Sequence, residues 1–590
     1  MPQAGNPFSS WVRLVAYTVL PEIGMKPQSL VLIGVIVTFC GLAPSAVAQS
    51  SARAPGTGTL KKDECSVAGM VVKLAGSDPL RKATVQLNSA DDRARSISTS
   101  TDAGGRFQLK GLDPGRYRLW VMRNGFVSQE YGQKAPGDAG ATLTLRPGQD
   151  LKDLLFRLIP SAVISGRVID EDGEPVPRAQ VNALHQVYSD GKRQLVPQTT
   201  AATDDLGEYR LFELPPGRYF VRAVYRRTRS LSQTSIQLPE GESTEHGYPP
   251  TYYPSSPELS KAVTLTVKAG EEIPSTEITL RPVSTFTIRG RVYNMISKRS
   301  SGDVILELEP RSSEFRWNFS AAAANVRSQD GTFELHNVLP GSYDLIAQWS
   351  DETKVYEAHQ TVEVGNADVD GVALTIAPGV PISGRLQWDG PPSLSNRGEL
   401  NIYLQAAESG RGYGNSAQVT AESFLLKDVP EGTYRLSVFG QSQDCFLKSV
   451  RFGGIEALED GFTVRRGVDA ALEVTISSRG ARIQGTATDA DNLPAAGVWV
   501  VLMPDEPRRN QFWRYKSATT DQYGHFDLRG IAPGNYKLFS WEKVERGEWE
   551  DPDFVKPFEE KGERITVQEG DAKSINLTAI RAASTEEQKP

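Results

Sequence analysis

Short runs of alternating apolar and polar residues, punctuated every few positions by Gly, Pro, Asp or Asn, fill most of the chain. In Ile164-Ser165-Gly166-Arg167-Val168-Ile169-Asp170 and again in Ala179-Gln180-Val181-Asn182-Ala183-Leu184 the small or apolar side chains return at every second position. That is the period of a half-buried strand. The stretch from Thr203 to Tyr219 carries the pattern furthest. Asp204 and Gly207 suit a tight turn that needs a positive φ, and Tyr209 and Leu211 then fall on one face. Pro216-Gly217 predicts a second turn, after which Tyr219 and Val221 share a face. The unit is therefore turn, strand, turn, strand, and none of its residues is chemically reactive.

This unit recurs. Asp102, Gly105, Phe107, Leu109, Leu112, Gly115 and Tyr117 form one copy; Gly331, Phe333, Leu335, Val338, Gly341 and Tyr343 form another. Asp521, Gly524, Phe526, Leu528, Ile531, Gly534 and Tyr536 repeat it near the end. A degraded copy keeps Phe424, Leu426, Val429, Gly432 and Tyr434, with Ser423 in place of the first glycine. The five tyrosines lie 102, 124, 91 and 102 residues apart, the size of one small sandwich domain. A glycine in an opening strand (Gly69, Gly166, Gly290, Gly384, Gly485) precedes each tyrosine by 48 to 53 residues, so the cores are commensurate and loops carry the variation.

The pattern predicts an all-β chain: a tandem array of five antiparallel, seven-stranded, Greek-key-type β-sandwich domains. The expected bounds are 61–160, 161–284, 285–379, 380–480 (the degenerate copy) and 481–590, the last with a charged tail. The tail from Glu542 to Glu560 is expected to pack as a short helix or an irregular cover. At 590 residues several cores are required in any case, and Gly 53, Pro 37 and 39% hydrophobics suit short strands and many turns.

Residues 1–48 read as an upstream segment and a secretory signal, with Met25 the expected start. Lys26 precedes an apolar run from Leu30 to Ala43, and Ala46-Val47-Ala48 offers a small-x-small cleavage site. Residues 49–60 read as a flexible lead-in. The expectation is an exported protein, periplasmic, on the cell surface or extracellular, with no transmembrane segment after cleavage. Cys65 and Cys445 then remain; beads on a string would hold them too far apart to pair. The net charge of −7 argues against nucleic acid as a partner, since phosphates call for a positive surface. The run Arg226-Arg227-Thr228-Arg229 reads as a solvated loop.

Candidate chemistry is sparse. The insertion 226–261 contains Tyr248, Tyr252 and Tyr253, large rigid contact residues stiffened by prolines, and is a candidate ligand-binding loop. The competing reading, in which those rings pin the loop to its own sandwich, is favoured. Trp513 and Tyr515 share a face if extended and would stack on a sugar, although sandwich cores use aromatics in the same way. The five histidines have no zinc-hydrolase or zinc-finger spacing. Asp170, Asp172 and Gly173, like Asp489 and Asp491, lack the later acidic residue that an EF-hand calcium loop requires at its offset and read as hairpin turns. Neither a phosphate-binding loop nor a serine-hydrolase elbow is present. No catalytic, metal or cofactor residue is expected.

With its opening Ile-Ser-Gly-Arg-Val and the following Pro-Val-Pro-Arg-Ala-Gln-Val, the repeat resembles the carboxypeptidase regulatory-like domain family, and the arrangement as a whole resembles large exported proteins of acidobacteria. The resemblance implies prealbumin-like sandwiches, grouped with carbohydrate-binding-like folds. It is strongest in the second and fifth copies and weakest in the fourth, where Ser423 and Glu431 depart from it. In zinc carboxypeptidases this domain accompanies the peptidase and lacks the zinc ligands, so the resemblance implies a non-catalytic module with an unidentified protein or glycan partner. Carbohydrate binding and an enzyme site assembled between domains are the alternatives.

Overall fold

The computed structural model describes residues 63–581 except 91–94, 134–135, 190, 226–245, 297–303, 312–320, 327–329, 351–354, 396–398, 408–414 and 468–469. The expected signal, the lead-in and the Arg226–Arg229 run lie outside the described residues. All described residues fall in the compact unit Leu60–Pro590.

The sheets pair face to face into sandwiches, and each pair encloses one apolar core. In the first, Arg106–Leu112, Cys65–Lys73 and Asp150–Leu158 form one sheet; Ser96–Ser100, Thr84–Ser89 and Gly115–Met122 lead the other. Leu109, Phe156, Leu87 and Leu119 meet between them. The same plan recurs around Ile164, Leu211, Val181 and Val221, around Ile288, Leu335, Leu306 and Leu345, around Ile382, Leu426, Ile402 and Leu436, and around Ile483, Leu528, Val500 and Leu538. These are referred to below as the first to fifth sandwiches. All-β sandwich architecture is thus as the sequence predicts.

The pairing is antiparallel except along the closing segment of each sandwich. The opening strand runs antiparallel to the turn-unit strand but parallel to the closing strand: Cys65–Lys73 with Asp150–Leu158, Ala162–Ile169 with Glu272–Thr279, and so on through Ala481–Thr488 with Ala572–Ser574. Purely antiparallel sheets were the expectation; alternation of side chains cannot distinguish the two, because both directions have a period of two. Strand number also varies. The third sandwich has seven strands, Phe286–Asn294 to Val369–Ile376, while others add two-residue strands such as Gln129–Glu130.

The repeated residues each have a mechanical task. The opening glycine lies opposite an aromatic ring in the antiparallel ladder: Gly69 with Phe107, Gly166 with Tyr209, Gly290 with Phe333, Gly384 with Phe424, Gly485 with Phe526. A β-carbon there would overlap the closing strand's carbonyl oxygen at Leu154, Thr276, Val372 and Ile575, or the Phe424 ring in the fourth sandwich. Glycine alone permits this approach. In the turn, Asp204 Oδ1 accepts the N–H groups of Leu206 (3.0 Å) and Glu208 (2.8 Å); Asp102 and Asp521 do the same. Asp170 and Asp489 spend an oxygen in the same way, as hairpin turns require.

The threonine before the aspartate is a buried latch. Thr203 Oγ1 donates to Val176 O (2.6 Å) and accepts from Ala179 N (2.8 Å). Thr101 and Thr520 repeat both bonds. Further along, one residue takes a left-handed φ and shifts the alternation by one: Gly111, Glu213, Asn337, Asp428 and Gly530. That bulge explains why the buried positions run Tyr209, Leu211, then Leu214 rather than Glu213.

Each tyrosine then closes its own corner. The hydroxyls of Tyr117, Tyr219, Tyr343, Tyr434 and Tyr536 donate to the carbonyl four residues earlier, at 2.7–2.9 Å. This is the tyrosine-corner geometry of β-sandwiches. Burial pushes the phenols of Tyr219, Tyr343 and Tyr434 up to about 12. An unfolded tyrosine ionises near pH 10, so these side chains contribute fully below about pH 10 and their contribution is lost as the pH rises through about 12. Tyr219→Phe is expected to cost about 1 kcal/mol at neutral pH, the net worth of one hydrogen bond, and to reduce the fall in stability above pH 10. Denaturant unfolding of the two proteins across that range checks both effects.

Candidate functional site

The turn unit of the fifth sandwich does more than turn its own chain. Asp521 Oδ1 holds the turn, while Oδ2 accepts a hydrogen bond from Thr144 Oγ1 of the first sandwich at 3.1 Å. Gln522 clasps the Thr144 backbone from both sides: its Oε1 accepts from Thr144 N (2.9 Å) and its Nε2 donates to Thr144 O (2.7 Å). Thr142 and Asp521 form a parallel bridge. Tyr523 receives a hydrogen bond from Gln149 (3.1 Å) and lies under the Arg146 guanidinium, 5.2 Å from the ring centroid. The array folds back, so the beads-on-a-string picture does not hold. Cys65 and Cys445 are nevertheless both free and buried.

The fifth sandwich also grips the fourth and the second. Glu569 accepts from Lys448 (2.7 Å) and Ser477 (2.5 Å), and Glu459 of the fourth sandwich takes Arg508 (3.1 Å) and Arg514 (3.3 Å). The tail beyond Trp541 forms short helices, Glu548–Glu550, Pro552–Val555 and Lys556–Lys561. Its Trp549 and Val555, with Phe554 and Phe558, cover Phe539 and Trp541 and give this sandwich a second apolar core on its outer face. The cover meets the second sandwich's hairpin: Glu550 accepts from Gly191 N (3.1 Å), and Arg193 pairs with Asp551 (2.9 Å).

Between the first and fifth sandwiches lies a cleft of about 780 Å³, floored by Gln484 and Asp527 and walled by Arg118 and Thr144. A smaller hollow of about 340 Å³ adjoins it across Arg116, Asp527 and Arg529 and reaches Lys516 and the fourth sandwich's Gln441–Gln443. The lining carries Arg116, Arg118, Arg482, Lys516 and Arg529 against Asp521 and Asp527, in a chain whose net charge is −7. Arg118 is held by the buried Glu130, whose own carboxyl burial raises despite the guanidinium beside it. Burial works against the Asp527 charge, but Arg482 (2.7 and 3.0 Å) and Arg529 (2.6 Å) outweigh it and hold the carboxyl below its ordinary range. Asp527 is therefore a spent counter-ion rather than a proton acceptor. His525 faces Asp521 at 3.4 Å, yet both oxygens of that carboxylate already serve the turn and Thr144.

The residues singled out from sequence lie elsewhere. Tyr252 is buried and Tyr253 packs against the core of its own sandwich. Tyr248 packs on Tyr225 (5.8 Å) and donates to Glu171. The described part of the insertion thus covers its own domain, and Tyr252 has no exposed surface for a ligand. Trp513 and Tyr515 are not on an extended strand: Phe512–Arg514 is a 3-10 turn. Tyr515 turns inward, donating to Arg509 O (2.8 Å), while Trp513 stays exposed with Arg514 over its ring at 4.5 Å. The cleft residues escaped notice because they meet only across domains. Their one sequence signal is Gln522-Tyr523, large polar residues where other copies have Ala103-Gly104 or Asp205-Leu206.

Among the described residues no group of three or more His, Cys, Asp or Glu is placed to hold a metal ion, and no helix is long and apolar enough to cross a membrane.

The fold and the interfaces define a multi-sandwich protein whose last module contacts the first, second and fourth. Residues 66–158 and 163–246 match the family profile of the carboxypeptidase regulatory-like domain, so the first two sandwiches carry that family's signature, over less than a third of the chain. No curated protein matches. Among solved structures, a streptococcal ancillary pilin is 12% identical with a TM-score of 0.20, covering 54% of this chain and all of its own. Two B repeat units of the Staphylococcus aureus collagen-binding protein are 12% identical with a TM-score of 0.12, covering 70% of this chain and 100% of theirs. The Bacillus anthracis TIE protein is 12% identical with a TM-score of 0.15, and 53% of this chain matches 51% of that one. Likeness at these scores does not extend to function.

The grip of the second sandwich depends on a charge. Burial works to raise Asp551, but Arg193 and the Asp553 N–H outweigh it and hold the carboxyl below its ordinary value. The contribution is present above the ordinary carboxylate range and is lost as pH falls through the lowered value. Arg193→Ala is expected to weaken the contact by about 1 kcal/mol, since the guanidinium is more than half exposed. Faster amide exchange in the hairpin around Gly191 and in the cover around Asp551, with the first sandwich unchanged, is the expected readout.

Proposed function

We propose that the chain is an exported, non-catalytic interaction module acting at the cell envelope or outside the cell, built from five sandwiches bounded at 61–160, 161–284, 285–379, 380–480 and 481–590. One observation carries this reading. Every residue that recurs from copy to copy is consumed by a turn, a latch, a seam or a core, as the bonds of Asp204, Thr203 and Tyr219 illustrate. The residues that do not recur, Gln522, Tyr523, Glu569 and Asp551, join sandwich to sandwich. Supporting it, the cleft carboxylate Asp527 is tied up by Arg482 and Arg529 rather than standing as a free base beside a nucleophile.

Preorganised sandwiches present a fixed surface at little entropic cost on binding. The partner class is a protein or a glycan of the envelope. A carbohydrate-binding reading is favoured specifically by Trp513, whose exposed ring is flanked by a guanidinium.

Binding of the purified full chain to envelope fractions and to a glycan array tests the proposal. Saturable capture of an envelope component, without turnover of peptide or glycoside substrates, is expected. Trp513→Ala lowers affinity if a sugar is the partner and leaves it unchanged if a protein surface away from Trp513 is. Metal-dependent peptidase activity abolished by a single histidine substitution would contradict the proposal.

A further inference from the structure

We infer that the cleft between the first and fifth sandwiches, with its extension to the fourth, is a binding site for an oxyanionic ligand bearing carboxylate or phosphate groups. The inference deepens the interaction-module reading and rests on it.

Charge accounting within the cleft supports the choice of ligand. Arg118 is balanced by Glu130, but Arg482 and Arg529 share the single carboxylate of Asp527 inside the lining. The nearest other acid to Arg529, Asp444, stands 3.8 Å off at the cleft edge. Lys516 has no ion pair or side-chain hydrogen bond among the described residues, and the only influence on its ammonium is burial, which lowers its pKa. A half-buried ammonium without a counter-ion is a cost to the fold unless something completes it. It opens onto the hollow shared with Arg116 and Arg529.

The rest of the lining fits the same ligand class. Thr142, Thr144, Thr519, Gln484 and Asn576 offer hydroxyls and amides; the lining's rings are the His525 imidazole, which faces Asp521, and Phe526. Phe526 is a core residue. A neutral sugar would look for a stacking platform here and not find one; an oxyanion finds guanidinium and ammonium groups in a recess where they are screened less than at an open surface. The volume, about 780 Å³, is that of a small-molecule or short-oligomer site. Because three sandwiches contribute, the site exists only in the folded-back arrangement.

Calorimetric titration of the purified full chain with trigalacturonate, tripolyphosphate and maltotriose provides the test. At least one anion is expected to bind, with affinity falling as salt rises, and maltotriose is not; the tighter of the two anions separates a carboxylated glycan from a phosphate source. Lys516→Gln is expected to weaken anion binding about tenfold, the worth of one charge-assisted hydrogen bond, without lowering the melting temperature, since the ammonium has no partner to lose. In the wild-type chain, acetylation of Lys516 by an N-hydroxysuccinimide ester at neutral pH should be suppressed by the bound anion, a readout independent of how the variant folds. Absence of binding by both anions, equal binding of maltotriose, or acetylation of Lys516 unaffected by either anion overturns the inference. An envelope partner captured while both anions fail would refute the cleft alone; anion binding with no envelope capture would refute the envelope role alone.

Discussion

The folded-back arrangement depends on one carboxylate with two tasks. Asp521 must hold its own turn through Oδ1 before Oδ2 and the neighbouring Gln522 can be presented to Thr144. Asp102 and Asp204, in the first and second copies, perform only the first task. Because the fifth copy has its acid locked by two backbone N–H groups, the second bond is made by a group that has already lost its freedom, and docking costs little further entropy. The edge strand it meets, Leu143–Leu145, is a three-residue strand of the first sandwich whose leucines are buried in the core, and covering its free edge also removes a site for adventitious pairing.

Each sandwich closes in the same way. A closing strand parallel to the opening strand sends the chain out of the sheet at the end opposite its entry. The price is a tight seam, met by glycine opposite an aromatic ring in all five sandwiches. The tail after Trp541 adds a second apolar core to the fifth sandwich. Its cover and the strands beneath it reach the second and fourth sandwiches, while its turn reaches the first. The most heavily built module is thus the one that meets the first, second and fourth.

The sequence made the repeated part of this molecule legible and left the unrepeated part obscure. Alternation and turn residues located the strands, because one buried face and one wet face leave a period of two wherever they occur. The tyrosines were visible as repeats but not as hydroxyl donors, and the left-handed position, filled by Gly111, Glu213, Asn337, Asp428 and Gly530, carries no common residue type to mark it. Strand direction was invisible to alternation. The cleft was less legible still, since Arg118, Lys516 and Arg529 are separated by hundreds of residues or lie in unremarkable strands, and only the fold brings them to one recess. Tyrosine-rich composition pointed instead to the insertion, where Tyr252 and Tyr253 serve their own domain.

The central claim, that the fifth sandwich docks onto the first, is tested most directly by a cysteine pair across the contact. Thr144→Cys with Gln522→Cys, treated with a short bismaleimide, should give an intramolecular cross-link joining peptides from the two sandwiches, present in buffer and absent in denaturant. Labelling of both thiols without a link between them would contradict the account.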